Sequence, residues 1–267
     1  MPDRASHVEM RPLSEFAAAA RRRIRFVLTD VDDTLTFAGR LSADTYAALE
    51  RLERAGVIVV PVTAAPAGWC DLIARLWPVD AVIGENGGFY FCRERGSPAV
   101  RRAFWLAEDE CARSMARLGE AAGTILSTIP GARPASDQPF RQTTWAIEPD
   151  GPATAERVAA AWRAAGARST INSLWALGWY GDFDKLAMAL RLAREIFAVD
   201  LASDRDAVVY VGDSVNDEPM FRFFPHSVGV ATVAAYLDRL AAAPAYVTNG
   251  PGGAGFVELA DAILAAS

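Results

Sequence analysis

The stretch that decides the fold runs from Ile24 to Thr29 and continues as Asp30-Val31-Asp32-Asp33-Thr34-Leu35. Its first six residues are mostly apolar and have apolar side chains on both faces, a pattern that predicts a strand buried within a parallel sheet. Carboxylates follow immediately, at the end of the strand where open parallel sheets bind ligands. The alternation of side chains directs Asp30 and Asp32 to the same side. The stretch therefore predicts a buried sheet with a polar site at its edge.

Strands and helices alternate along the chain on either side of this stretch. Ser42 suits the N-cap of a helix that runs to Arg54, and Gly56 suits its end. The further predicted elements are the strand Val57 to Val62, the helix Ala67 to Trp77, the strand Ala81 to Ile83, the helix Asp184 to Phe197, the strand Ala207 to Val211, a helix and strand between Asp217 and Val230, the strand Tyr246 to Thr248 and the helix Phe256 to Ala265. This alternation predicts an α/β fold, a Rossmann-like doubly wound parallel sheet covered on both faces.

The pattern changes between Gly88 and Ala176. Pro, Gly and Ser residues there separate two helical stretches and a strand-like Thr143 to Ile147. We therefore expect a core formed by residues 24–87 and 177–267, interrupted by a mixed α+β cap domain at residues 88–176. Residues 1–23 are expected to form a partly disordered N-terminal extension.

Composition and charge narrow the classes of partner. The 267 residues include 52% hydrophobic residues and carry a formal net charge of -6, which gives a substantial core but no electrostatic footprint for nucleic acid. No segment approaches the length of a membrane span, and the N-terminus lacks the apolar region of a secretory signal. We therefore expect a cytoplasmic protein that binds neither nucleic acid nor membrane. Its oligomeric state is left open.

The cysteines and histidines argue against a zinc, redox or histidine-based site. Cys70, Cys92 and Cys111 lack the spacing of metal or redox motifs, and His7 and His226 are the only histidines. We expect the cysteines to be buried or partly buried thiols and His226 to be structural.

A second acidic segment, Gly212-Asp213-Ser214-Val215-Asn216-Asp217, follows the apolar strand Ala207 to Val211. Two such segments at equivalent strand ends can converge on one Mg²⁺, which prefers hard oxygen ligands. Taken alone, the first segment could be a solvated acidic turn and the second a turn with a helix cap. Together they favour a site in which one carboxylate attacks phosphorus and another exchanges a proton with the leaving oxygen.

Thr63 and Lys185 supply a hydroxyl and an ammonium at positions suited to binding a phosphate group. Thr63 ends the predicted strand Val57 to Val62, and Lys185 lies at the start of a predicted helix. Both groups could hold phosphate oxygens. The alternatives are a helix cap for Thr63 and a surface charge for Lys185.

The order of Asp30-x-Asp32, Thr63, Lys185 and Gly212-Asp213-x-x-Asn216-Asp217 resembles the four motifs of the haloacid dehalogenase superfamily, over nearly the whole chain after Ile24. The position of the insertion, together with Gly84-Glu85-Asn86-Gly87-Gly88, is similar to the C2-capped subfamily IIB. That subfamily contains sucrose-phosphate, trehalose-phosphate and mannosyl-phosphoglycerate phosphatases and the phosphomannomutases. Gly252-Gly253-Ala254-Gly255-Phe256 resembles the C-terminal loop of the mannosyl-phosphoglycerate branch.

The resemblance implies a role for each matching residue. Asp30 would be the nucleophile and Asp32 the general acid and base, while Thr63 and Lys185 would hold the phosphate. The implied Mg²⁺ ligands are Asp30, the main-chain carbonyl of Asp32, Asp213 and Asp217. Asn216 would support the site on the substrate side.

The chain departs from the family pattern at two places. Asp33 stands where relatives usually have glycine, although Asp tolerates a left-handed turn. Thr63-Ala64-Ala65 stands where many sugar-phosphate relatives have threonine-glycine-arginine, so a guanidinium is missing.

The core motifs handle only phosphate and metal, so the insertion is expected to select the leaving group. Arg141 could replace the missing guanidinium, and Trp145 could offer an apolar face to a sugar ring. The alternatives are a solvated arginine and a core tryptophan. Asn172 and Trp175 are further candidates close to the return into the core.

The predicted function is a Mg²⁺-dependent phosphatase that acts on a small phosphorylated metabolite, a sugar phosphate or sugar-acid phosphate, through an aspartyl-phosphate. A phosphomutase would use the same aspartate but would return the phosphoryl group to a sugar and require a bisphosphate activator. A non-catalytic phospho-ligand sensor would turn over no phosphate ester.

Overall fold

A computed structural model describes residues 10–94, 96–172 and 174–266 of the chain. The strands are β1 (Arg11–Pro12), β2 (Phe26–Thr29), β3 (Thr36–Phe37), β4 (Arg40–Leu41), β5 (Ile58–Pro61), β6 (Ala81–Gly84), β7 (Phe89–Arg93), β8 (Val100–Phe104), β9 (Ala132–Pro134), β10 (Trp145–Pro149), β11 (Arg168–Ile171), β12 (Ala176–Trp179), β13 (Val208–Gly212), β14 (His226–Gly229) and β15 (Tyr246–Val247). The α-helices are α1 (Ala18–Arg21), α2 (Ala43–Arg54), α3 (Ala67–Leu76), α4 (Glu108–Thr128), α5 (Pro152–Ala164), α6 (Lys185–Phe197), α7 (Glu218–Phe223) and α8 (Gly252–Leu264).

The chain divides into two compact units, Met1–Ile58 with Ser203–Ser267, and Val59–Ala202. The predicted cap, residues 88–176, lies inside the second unit. The boundaries predicted for core and cap stay a prediction. Among the described residues, no helix is both long enough and apolar enough to cross a membrane.

A six-stranded sheet in the order β1-β15-β14-β13-β2-β5 confirms the predicted parallel sheet. Parallel pairing joins β1 to β15, β15 to β14, β14 to β13 and β13 to β2. Strands β2 and β13 are buried along their whole length, as their apolar runs predict. Strand β5 lies at the edge of the sheet. Its first residue, Ile58, is the last residue of the segment Met1–Ile58.

From Met10 onward the predicted N-terminal extension contains β1 and α1, and its partial disorder stays a prediction. Strand β1 extends the sheet by pairing with β15, and the buried Phe16 contacts the rings of His226 and Tyr246. Residues 1–9, which include His7, lie outside the described residues. Burial lowers the pKa of His226, and the structural role of this residue stays a prediction.

Helix α2 shows how closely local signals set an element. It begins after Ser42, whose side chain accepts a hydrogen bond from Thr45 N at 3.1 Å, and it ends at Arg54 before Gly56 in the left-handed region. Helix α8 instead begins at Gly252, four residues before the predicted start at Phe256. The segment that resembles a loop is its first turn, where a Cβ on Gly253 would lie 2.2 Å from Thr45 Oγ1. Glycine is needed there for close packing.

The second unit contains two antiparallel sheets. One has the order β6-β7-β8, and the other has the order β11-β12-β10-β9. Predicted strand Ala81 to Ile83 corresponds to β6, but β6 pairs antiparallel with β7. The sequence pattern predicts that this strand belongs to a parallel sheet. Within the described chain, its parallel pairing is limited to an isolated bridge between Val62 and Ile83.

One face of the sheet β9 to β12 is packed by helices α4 and α5. Its core includes Leu118, Val158, Trp162, Ile147 and Ala176. The opposite face carries a small cluster in which Ala135, Ala146 and Leu177 pack with Ala64. These two faces decide which side chains of the insertion can reach the loop that follows Val62.

Candidate functional site

The acidic residues of the first unit lie at the carboxyl ends of two adjacent strands. Thr29 of β2 pairs in register with Val211 of β13, so the segments that follow both strands leave the same edge of the sheet. Asp30 N donates to Val211 O at 2.9 Å. Thr34 Oγ1, buried in the turn after β2, donates to Asp213 Oδ1 at 3.3 Å. The two acidic motifs are therefore brought together, as their positions after strands predict.

Three buried carboxylates form the centre of this site. Asp30, Asp213 and Asp217 are 4%, 2% and 0% exposed, and each offers an oxygen within 4.8 Å of the others. Buried like charges raise each other's free energy unless a cation offsets them. Carboxylate oxygens are the ligands that a hard divalent ion such as Mg²⁺ prefers, so this donor set fits such an ion.

Asp217 also holds the backbone of the loop that carries Asp213. Its Oδ2 accepts hydrogen bonds from Asp213 N at 3.0 Å and Ser214 N at 3.2 Å. Its Oδ1 accepts from the hydroxyl of Tyr210 on β13. Burial raises the pKa of Tyr210 well above its ordinary value, and the nearby charges of Asp217, Asp30 and Asp213 raise it further. Tyr210 therefore stays a neutral donor at physiological pH.

The predicted phosphate residues of the second unit flank the segment Glu85–Gly87. Asn86 N donates to Thr63 O at 3.0 Å. On the other side, Gly87 packs so closely on the main chain before Lys185 that a Cβ would lie 2.1 Å from Asp184 O. Gly87 has φ 103°, a second reason for glycine at this position. The structure thus brings Thr63 and the first residue of α6 to the same short segment.

The plainer interpretations of these two residues are wrong. Lys185 is only 3% exposed, so it is not a surface charge. It occupies the first turn of α6, where the helix dipole disfavours a cation. Thr63 does not cap α3, whose N-cap is Pro66. Its hydroxyl oxygen instead accepts from Ala65 N at 3.0 Å and retains its own hydrogen to donate.

Glu85 is a buried carboxylate that joins three segments of the second unit. It is 0% exposed and has φ 46°. Its Oε1 accepts from Ala67 N and Gln142 N, at 3.1 and 2.9 Å. Its Oε2 accepts from the main-chain N and the hydroxyl of both Thr143 and Thr144, at 2.7 to 2.9 Å. Sequence reasoning identified Glu85 only as part of a motif and missed this role.

We expect Glu85→Gln to destabilise the protein by about 2 to 6 kcal/mol, because a buried donor left unsatisfied costs roughly 1 to 3 kcal/mol. Whichever way the amide turns, its NH₂ group faces two main-chain N–H groups, those of Ala67 and Gln142 or those of Thr143 and Thr144. Urea unfolding measures the loss. Glu94→Gln, at an exposed position of the same unit, is the matched control. Equal midpoints for the two variants would contradict this role of Glu85.

The comparisons with known proteins agree on the fold. The sequence matches no protein-family model and no curated protein. The C-terminal domain of trehalose-6-phosphate phosphatase from Candida albicans is similar at a TM-score of 0.71 and 12% identity, over 98% of this chain and 99% of that chain. A haloacid dehalogenase-like hydrolase from Bacteroides thetaiotaomicron has a TM-score of 0.63 and 16% identity, over 90% and 99% of the two chains.

This chain has the haloacid dehalogenase fold. A sucrose-phosphatase from Synechocystis, solved with sucrose and phosphate, shares it at a TM-score of 0.63 and 12% identity, over 91% of this chain and 98% of that chain. The resemblance that the four motifs predict is therefore confirmed at the level of the fold.

Within the haloacid dehalogenase fold, the acidic turn after β2 has the expected backbone. Asp33 has φ 56°, the left-handed conformation expected where relatives usually have glycine. Asp32 is half-buried and lies outside the group of three carboxylates. Asn216 Oδ1 accepts a hydrogen bond from Ser214 Oγ at 2.6 Å. The roles predicted for Asp32 and Asn216 stay predictions.

Arg141 is not the solvated arginine of the plainer interpretation, because its side chain is 1% exposed. Its guanidinium forms a bidentate pair with Asp137, at 3.0 and 2.7 Å. Nη1 donates to Ala64 O and Thr144 Oγ1, both at 3.0 Å. A guanidinium therefore does reach the loop where arginine is missing, but four of its hydrogen bonds hold protein atoms. These contacts favour a role in which Arg141 holds the loop at Ala64 in position.

Trp145 and Trp175 lie on different faces of their sheet. Trp145 packs against the helix-side core, in register with Gly178, on which the ring of Trp162 rests. Trp175 packs against the cluster that contains Ala64. Asn172 contacts Trp175 directly, because its Oδ1 accepts a hydrogen bond from Trp175 N at 2.6 Å. The placement of Trp145 favours the core-tryptophan interpretation, and Trp175 lies on the side of the loop.

Proposed function

We propose that this chain is a Mg²⁺-dependent phosphatase that hydrolyses a phosphomonoester of a small metabolite, a sugar phosphate or sugar-acid phosphate. The observation that carries the proposal is the group of three buried carboxylates at adjacent strand ends, Asp30, Asp213 and Asp217. It is supported by the fold, which is shared with proteins named as trehalose-phosphate and sucrose-phosphate phosphatases.

The proposed reaction has two steps that use the same aspartate. A carboxylate oxygen of Asp30 attacks phosphorus, the bond to the leaving oxygen breaks, and Asp32 gives that oxygen a proton. Asp32 then takes a proton from water, which attacks the phosphorus and releases inorganic phosphate and Asp30. Thr63 donates a hydrogen bond and Lys185 a charge-assisted one to the phosphate oxygens. When bound, Mg²⁺ would offset the negative charge of phosphate and carboxylates.

Phosphate release from a panel of phosphorylated sugars, sugar acids, polyols and nucleotides tests the proposal. The panel is run in Mg²⁺ and, after chelation, in EDTA. We expect release from a sugar phosphate or sugar-acid phosphate in Mg²⁺ and its loss in EDTA. No release from any ester would overturn the proposal and favour a phospho-ligand sensor. Transfer to a second sugar hydroxyl with a bisphosphate activator would identify a phosphomutase.

The choice of leaving group is expected to depend on Trp175, because it packs on the side of the sheet that meets Ala64. We expect Trp175→Ala to raise KM about tenfold for the preferred ester and to change the ranking within the panel, because a sugar ring loses its apolar contact. Trp145→Ala is the matched control. It should lower thermal stability through the helix-side core and leave the ranking unchanged. The reverse pattern would return the sugar-contact role to Trp145.

A further inference from the structure

Asn86 has a buried amide group whose Nδ2 donates no hydrogen bond within the described part of the chain. The residue is 4% exposed, and nothing within residues 10–94, 96–172 and 174–266 accepts a hydrogen bond from its Nδ2. Buried side-chain donors almost always have a partner, so an exception in a well-packed region needs a cause. A ligand that arrives with an acceptor oxygen is one such cause.

The backbone next to Asn86 is held in a left-handed conformation that local preference opposes at Glu85. Glu85 and Asn86 are consecutive left-handed residues, with φ 46° and 57°. Such a pair persists only where the surroundings enforce it, and strained pairs of this kind cluster at ligand sites. Here the six hydrogen bonds accepted by Glu85 and the contact of Gly87 with Asp184 O supply the enforcement. The surroundings fix Asn86 firmly, yet its amide donor is unused by the residues that the structure describes.

The position of Asn86 indicates the chemistry of the missing acceptor. Its main chain bonds Thr63, and its neighbour Gly87 packs against the start of α6, where Lys185 is buried. Hydroxyl, ammonium, helix N-terminus and amide NH₂ are all groups that favour an anionic oxygen. They belong to a single unit of the chain.

We propose that Asn86 Nδ2 donates a hydrogen bond to an oxygen of the phosphoryl group, as a third phosphate-binding residue beside Thr63 and Lys185. This inference rests on the proposed function and adds a substrate-binding residue to it. The amide is neutral, so it would bind and orient the phosphoryl group without changing the net charge of the site.

Two variants remove the donor without requiring a new backbone. Asn86→Gly accepts a φ of 57° without strain, and Asn86→Asp keeps the shape and tolerates the left-handed region. We expect the dissociation constant of inorganic phosphate, measured by titration calorimetry in Mg²⁺, to rise roughly tenfold to a hundredfold in Asn86→Gly. The KM of the best ester of the panel should rise in parallel, with a smaller change in kcat. Asn86→Asp should be weaker still, because a carboxylate repels phosphate.

The outcomes separate this inference from the proposed function. Folded variants that bind phosphate and turn over the ester within twofold of the unaltered protein would overturn the role of Asn86 alone. Loss of the fold in both variants would make Asn86 a structural residue and would also overturn it. An unaltered protein that neither binds phosphate nor hydrolyses any ester would overturn the proposed function, and the role of Asn86 with it.

Discussion

Asp30→Asn is expected to abolish phosphate release while the protein stays folded. The amide keeps the size of the side chain but cannot attack phosphorus as a carboxylate does. We expect a loss on the order of 10⁴-fold or more, as in enzymes that lose a covalent nucleophile. The measurement is phosphate release from the best ester of the panel in saturating Mg²⁺.

A neighbouring aspartate of the same turn provides the control for this variant. Asp33 is half-buried, adopts the left-handed region and stands outside the three-carboxylate group. Asn tolerates that conformation as well as Asp does, so Asp33→Asn removes a carboxylate without a change of backbone. We expect it to retain activity within a few-fold. An Asp30→Asn protein that is folded by circular dichroism and releases phosphate at a near-native rate would eliminate Asp30 as the nucleophile.

Local signals made the strands and their acidic endings predictable. One apolar run precedes Asp30 and a second precedes Asp213. Each run indicates a buried strand, and the acidic residues that follow mark where the strand ends. The pairing of β2 with β13 is non-local, and only the fold fixes it. The meeting of the two motifs was still predictable, because ligands of open parallel sheets collect at the carboxyl ends of strands.

The choice between Trp145 and Trp175 was not predictable in the same way. Side chains alternate along a strand, so each tryptophan could lie on either face until the partner strand and its register are known. Pairing of Trp145 with Gly178 places it with the helices, and Trp175 then falls on the opposite face. The role of Glu85 could not be predicted from the sequence for a related reason. Its six donors come from Ala67 and from residues 142–144, which are close only in the folded unit.

One signal for Lys185 was present in the composition. It is the only lysine among the 27 lysine and arginine residues of the chain. The other basic residues of the chain are all arginine. A single lysine at a buried helix start, where burial and the helix dipole both disfavour a cation, indicates that a compact ammonium is required.

Lys185→Ala is therefore expected to lower kcat/KM by roughly two or more orders of magnitude, the effect of losing a preorganised electrostatic contact with the transition state. Lys185→Arg tests the nature of that contact. It keeps the charge, but the larger planar guanidinium must fit at a position where Lys185 is only 3% exposed. We expect at most a partial recovery of the rate, because the two cations differ in shape and in how they donate hydrogen bonds.

Measurement of inorganic phosphate binding in Mg²⁺ completes the test for Lys185. If the ammonium contacts phosphate oxygens, both variants should bind phosphate more weakly, and Lys185→Ala should be the weaker of the two. Full recovery in Lys185→Arg would show that charge alone suffices and that compactness plays no part. If both variants lose only thermal stability and keep the native kcat/KM, Lys185 is a buried structural cation, and its phosphate-binding role is wrong.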